Sequence, residues 1–251
     1  MFRRNWNREE LIAAFNLYCK TPFGRIHISN PAIVELARLL GRTPSAVSWK
    51  LANFARLDPS LKKRNIAGAA HGARAELEIW NEFNGNWEKL AFESERLMEQ
   101  KKGLKPGMDA SIELPEGFTR ETIIRARVNQ AFFRAAVLAA YDGRCCITGL
   151  SIPELLIASH IVPWSVDVKN RTNPRNGFCL NALHDRAFDS GLITVTTALQ
   201  VKISPRLKKH VEMPVCEFLT RFDGAPVAKP RQFAPDATFL RYHNEQVFLD
   251  S

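Results

Sequence analysis

No run in the sequence approaches the roughly 20 consecutive apolar residues that cross a bilayer, so none of its segments reads as a helical membrane span. Paired Cys-x-x-C spacing is also missing. The five cysteines, Cys19, Cys145, Cys146, Cys179 and Cys216, are odd in number and suit neither a disulfide framework nor a zinc ribbon. Cys145 and Cys146 are adjacent and point in different directions, so ordinary buried thiols are expected. There is no internal repeat and no long low-complexity tract. The first residues, MFRRNWNREE, are polar and run straight into a helical pattern, which is not the composition of a secretory signal. A cytoplasmic location is the expectation.

What the sequence does have is apolar material and positive charge. Hydrophobic residues make up 45% and charged residues 24%, enough for a sizeable core in one large or two ordinary domains. The formal net charge of +9 suits a polyanionic partner, because Lys and Arg contacts to phosphate release condensed counterions. Nucleic acid is the partner expected.

The N-terminal part reads as helices. Asn7 with Glu10 three residues on has capping-box spacing, followed by Leu11, Phe15 and Tyr18 at helical intervals. Asn30-Pro31 opens a second helix that carries Ile33, Leu36, Ala37 and Leu40 and stops at Gly41. Thr43-Pro44 opens a third, with Val47, Leu51 and Phe54 on one face. Two short helices joined around Gly41, Arg42 and Thr43 are helix-turn-helix-like. On that reading Ser48 and Asn53, off the apolar stripe, contact DNA; the alternative is a plain helical hairpin with a solvated polar face. Further helices are expected over 73–83 and 87–100. The Gly-, Pro- and charge-rich stretch KKGLKPGMDASIELPEGF has no sustained period and marks the domain boundary.

Beyond it the texture changes. Residues 119–141 read as one long helix, followed by strand-like runs in CCITGL, ELLIASHIV and the hairpin GLITVTTALQVKI. A short helix is expected over 181–190. Strand, loop, strand and short helix make a ββα order.

The chemistry concentrates in ASHIVPWSVDVKNRTNPRNGFCLNALHDRAFDSG. Hydrolysis of a phosphodiester needs a base for water and a hard cation for the charge on phosphate and leaving oxygen. A histidine, with an ordinary pKa near ~6.5, suits the first task, and carboxylates with water suit the second. Asp185 and Asp189, four residues apart, share a helix face with Asn181. His184 aligns instead with Phe188.

This segment resembles the HNH nuclease superfamily, and within it the branch of predicted restriction endonucleases. The family pattern has a histidine in a His-Ile-x-Pro run, an Asn-Gly pair opening an apolar strand, and a metal-binding position nine residues on. Here these are His160, Asn176 and Asp185, with His184 adjacent. The run from Phe188 to Ile193, upstream Gln130, Phe133, Arg134 and Tyr141, and the CCITGL turn also fit. So, less distinctively, do TPFGRIHISNP and GRTPSAVSWKLANF. The resemblance implies that His160 is the general base, Asn176 holds the loop between the strands and orients His160, and Asp185 with His184 binds one Mg²⁺ or Mn²⁺. That ion would stabilise the 3′-oxygen leaving group, giving 5′-phosphate ends. Arg144 and Arg175 are candidates to clamp phosphate. Many members carry a carboxylate before the catalytic histidine, where this sequence has Ser159; a family cysteine pair is also absent.

The resulting expectation is an α+β chain: a helical, helix-turn-helix-like DNA-binding domain over 1–105, a linker over 106–118, and a ββα-metal HNH nuclease domain over 119–251. Its function would be metal-dependent DNA cleavage of restriction or defence type. The alternative is an inactive HNH-fold DNA-binding regulator, toward which Ser159 points. Cutting two strands from a single-metal site suggests a homodimer, and no membrane partner is expected.

Overall fold

The computed structural model describes residues 4–62, 74–103, 119–209 and 214–250. They form two compact units, Met1–Ala136 and Val137–Ser251. The expected linker at 106–118 lies outside the described residues.

The first unit is helical: α1 (Arg8–Lys20), α2 (Pro31–Leu40), α3 (Pro44–Ala55), α4 (Pro59–Lys62), α5 (Arg74–Phe83), α6 (Trp87–Lys101) and most of α7 (Arg120–Ala140). Its helix starts follow local chemistry. Asn7 and Glu10 form a reciprocal capping box on α1, and Asn30 and Thr43 cap α2 and α3 ahead of proline at the first position. Gly41 ends α2 at φ 62°, a left-handed conformation natural to glycine, and lets α3 fold back against α2. The core is aromatic: Phe15 meets Phe54, Trp80 and Trp87 at centroid separations of 4.8, 5.2 and 6.1 Å. The Tyr18 hydroxyl, buried with this cluster, donates to Asp58 Oδ2 at 3.1 Å.

Two buried carboxylates staple this unit. Glu10 accepts from the Asn7 amide at 3.0 Å, from Arg42 Nη2 at 2.7 Å and from Arg4. Burial opposes its charge, but these donors hold its pKa below the usual range. Glu76 accepts from Lys50 and, at 2.8 Å, from Asn53 Nδ2.

In the second unit, β1 (Leu156–His160) and β2 (Gly177–Asn181) pair antiparallel, with His160 opposite Gly177 and Ser159 opposite Phe178. Then come α8 (Ala182–Asp189), the hairpin β3 (Ile193–Val195) and β4 (Val201–Ile203), α9 (Pro205–Lys208), α10 (Pro214–Thr220) and α11 (Ala237–Tyr242). Helix α8 packs on β1, β2 and β3. Phe188 meets Phe178 edge-on at 5.8 Å, and the His243 ring stacks on Phe188 at 3.7 Å.

The strand expected at CCITGL is instead a turn. The Cys145 amide donates to Leu150 O at 2.8 Å, and Gly149 sits at φ 74°, so the chain closes on itself. The next strand is confined to Leu156–His160, because Pro153 starts a 3₁₀ turn before it and Ile161 already bonds across to Asn176. Cys19, Cys145, Cys146 and Cys179 are free, buried thiols. Among the described residues, no helix is long and apolar enough to cross a membrane.

Candidate active site

The site grows from the crossing between β1 and β2. His160 is the last residue of β1 and Asn176 directly precedes β2, so strand pairing brings them together although a long connection separates them in sequence. Asn176 is buried, and all its polar groups are spent on that connection. Its Oδ1 accepts from the Val162 amide at 2.8 Å, and its Nδ2 donates to Val162 O at 3.1 Å and to Asn170 O at 3.4 Å. Its own carbonyl accepts from the Ile161 amide at 3.0 Å. The exit of the chain from His160 is thereby fixed.

A ladder of short polar side chains stiffens the rest of the connection. Asp167 Oδ2 accepts from Asn170 Nδ2 at 2.7 Å, Asn170 Oδ1 from Asn173 Nδ2 at 2.9 Å, and Asn173 Oδ1 from the Arg175 amide at 3.1 Å.

The half-buried His160 ring is set by two residues that sequence reasoning did not single out. Its Nε2 lies 2.9 Å from the carbonyl of Arg171, which can only accept; the proton is therefore on Nε2, and in the neutral ring the lone pair is on Nδ1. Trp164 meets the ring edge-on at 5.5 Å. Arg171 in turn donates from Nε to Trp164 O at 2.7 Å, with its guanidinium over the indole at 5.0 Å. Desolvation pushes the His160 pKa below 6.5, and the Arg171 carbonyl resists that shift while the Arg171 charge adds to it. The ring is neutral near pH 7, the state a base requires.

On the helix side, Asn181 caps α8 by accepting from the His184 amide at 3.0 Å. Asp185 and Asp189 follow on one face. Desolvation raises the pKa of both, that of Asp189 to about 6, with the Asp185 charge as the next contributor. Interaction with the Ser159 hydroxyl partly offsets the rise at Asp185, though the two groups do not meet hydrogen-bond geometry. Ser159, buried at 2% exposure, has no hydrogen-bond partner for its Oγ among the described residues. The residue before His160 thus lies against the helix carboxylate.

His184 takes a different direction. It is buried, its Nδ1 lies 3.0 Å from Asn181 Oδ1, and its ring meets Phe222 edge-on at 5.4 Å. Desolvation lowers its pKa to about 4, so it is neutral, and Nε2 has no hydrogen-bond partner among the described residues.

The basic candidates separate. Arg144 is exposed in the turn after α7. Arg175 is tied to the C-terminal segment, donating to Ala234 O at 3.2 Å and pairing with Asp236 at 3.3 Å. In the first unit Ser48 is half-buried on α3, and Asn53 is committed to Glu76.

Two neighbouring carboxylates and an unpartnered buried hydroxyl are hard oxygen donors, which suit Mg²⁺ or Mn²⁺ completed by water. Among the described residues, no group of three or more His, Cys, Asp or Glu side chains forms a closed metal cage.

A short antiparallel pair crossed by a helix, with a neutral histidine at the strand end and acidic residues on the helix, is a ββα element of nuclease type. The family comparison agrees: residues 145–196 match the HNH endonuclease family HNH_2. The C-terminal unit therefore carries an HNH endonuclease domain, which points to nuclease activity. No curated protein matches the chain.

Proposed function

We propose that this protein is a metal-dependent DNA endonuclease of restriction type, acting in the cytoplasm. The observation that carries the reading is the strand end itself, where burial keeps His160 neutral and the Arg171 carbonyl orients its ring, while its neighbour Ser159 lies against Asp185.

His160 takes a proton from water, the water oxygen forms its bond to phosphorus as the bond to the 3′-oxygen breaks, and that oxygen takes a proton from solvent water, leaving 5′-phosphate and 3′-hydroxyl ends. Asn176 fixes the chain at Ile161 and Val162 so that the imidazole keeps its direction. Asp185 would be the principal holder of one Mg²⁺ or Mn²⁺, with Asp189 adding negative charge, while His184 stays as a neutral neighbour packed on Phe222. The ion, when bound, supplies charge stabilisation at the phosphate and departing oxygen. Ser159 would offer the ion only a neutral hydroxyl, where many HNH nucleases have a carboxylate. Arg144 is the candidate phosphate contact in this unit, since Arg175 is engaged elsewhere.

The helical unit engages DNA through α3, with Ser48 available on its outer face. One site per chain and two strands to cut call for a homodimer.

The test is nicking of supercoiled plasmid by the full chain in Mg²⁺, Mn²⁺ or EDTA, beside Asp185→Ala. The wild type should nick only with metal, and Asp185→Ala should lose on the order of 100-fold in rate. Nicking in EDTA, or an Asp185→Ala protein with unchanged metal dependence, would contradict the reading.

A further inference from the structure

The first unit has a cavity of about 650 Å³ between the N-terminal arm and α3, unrelated to the site above. Its walls are aromatic and its rim is cationic. Trp49, on α3, is 61% exposed, unusual for so large an apolar side chain. Two cations lie over the Trp6 ring, the Arg42 guanidinium at 4.6 Å and the Lys50 ammonium at 5.1 Å. Both of these cations are also paired to buried carboxylates, Arg42 to Glu10 and Lys50 to Glu76, so Trp6 is a fixed wall. Arg4, at the rim, keeps 60% of its side chain exposed.

The floor decides what enters. Glu76 is fully buried; one carboxylate oxygen accepts from Lys50 and Asn53, and the other has no hydrogen-bond partner among the described residues. With Lys50 paired to it, Glu76 leaves the floor no net positive charge to hold a phosphate or an acidic side chain. An anionic ligand therefore leaves its charge at the rim and places a flat group against the aromatic walls.

We infer that this cavity receives one unstacked base of single-stranded DNA, stacked on Trp49 with its flanking phosphates at the Arg4 rim. Aromatic platforms bordered by cations bind single strands with little sequence preference, because every base has a π face. The inference rests on the first unit alone and stands apart from the cleavage reading.

Binding of a fluorescein-labelled, mixed-sequence single-stranded oligonucleotide to the full chain in EDTA, read by anisotropy at several salt concentrations, tests it. Trp49→Ala, an exposed substitution, should weaken binding about tenfold or more, while Trp49→Phe should stay within about threefold of wild type. Arg4→Ala should weaken binding and lower the salt slope by about 1. Wild-type affinity in Trp49→Ala would overturn the inference, as would a wild-type protein that binds duplex but no single strand. Binding of an acidic tyrosine-containing peptide in place of the oligonucleotide would assign the cavity to a protein partner and overturn it equally.

Discussion

Asn176 shows what one residue does for a neighbouring histidine it does not touch. It spends both side-chain polar atoms and its carbonyl on the backbone that leaves His160, and it is buried while doing so. Asn176→Ala leaves the Val162 amide and carbonyl without these partners, at a cost of about 2–3 kcal/mol. Urea denaturation should show that loss, together with slower nicking by the folded protein; a variant within roughly 0.5 kcal/mol of wild type would show that the connection holds itself. The placement of His160 at a strand end and of Asn176 just before the next strand was legible because their neighbours make a spaced pattern. Arg171 and Trp164 were not: Arg171 acts on His160 through its backbone carbonyl, which every residue type has, and Trp164 through ring packing that only the folded connection creates. The commitment of Asn53 to Glu76 was hidden for a similar reason, since the two lie on separate helices.

Among the elements, α8 depends on a close approach that sequence alone does not disclose. Gly191, just after it, sits at φ 69°, and a Cβ there would lie 2.1 Å from the Val247 carbonyl oxygen. The C-terminal segment runs so near because the Leu249 amide donates to Gly191 O at 2.9 Å and His243 stacks on Phe188. Gly191→Ala therefore meets both backbone strain and a clash, and should cost on the order of 2 kcal/mol or more. A thermal melt checks this; an unchanged midpoint would mean the segment can move aside freely. Helix starts were the most legible elements, since Asn7, Asn30 and Thr43 are local signals read within a few residues. CCITGL misled because an apolar run cannot show that Gly149 turns it back on Cys145.

For the whole molecule, the order of a helical part followed by a ββα part was legible from the change in periodicity. The division of compact units inside α7, at Ala136, was not, because a continuous helix carries no boundary signal. Burial of histidine also gives the fold an acid limit. An unfolded chain takes up a proton at His243 near pH 6.5, whereas desolvation in the folded unit holds that ring neutral to about 4, against the opposing bond to Phe188 O. Its contribution is complete above pH 6.5 and is lost as pH falls toward 4, up to about 3 kcal/mol. His184 acts in the same direction. Urea midpoints measured from pH 7 to pH 4.5 should fall more steeply for wild type than for His243→Phe; parallel profiles would remove His243 as the cause.

The proposed role of His160 as the base of a phosphodiester hydrolysis is tested by single-turnover cleavage of DNA by His160→Ala in Mg²⁺. The expected rate is lower by about 10²–10⁴-fold, with DNA binding retained. Cleavage at the wild-type rate, still dependent on metal, would contradict it.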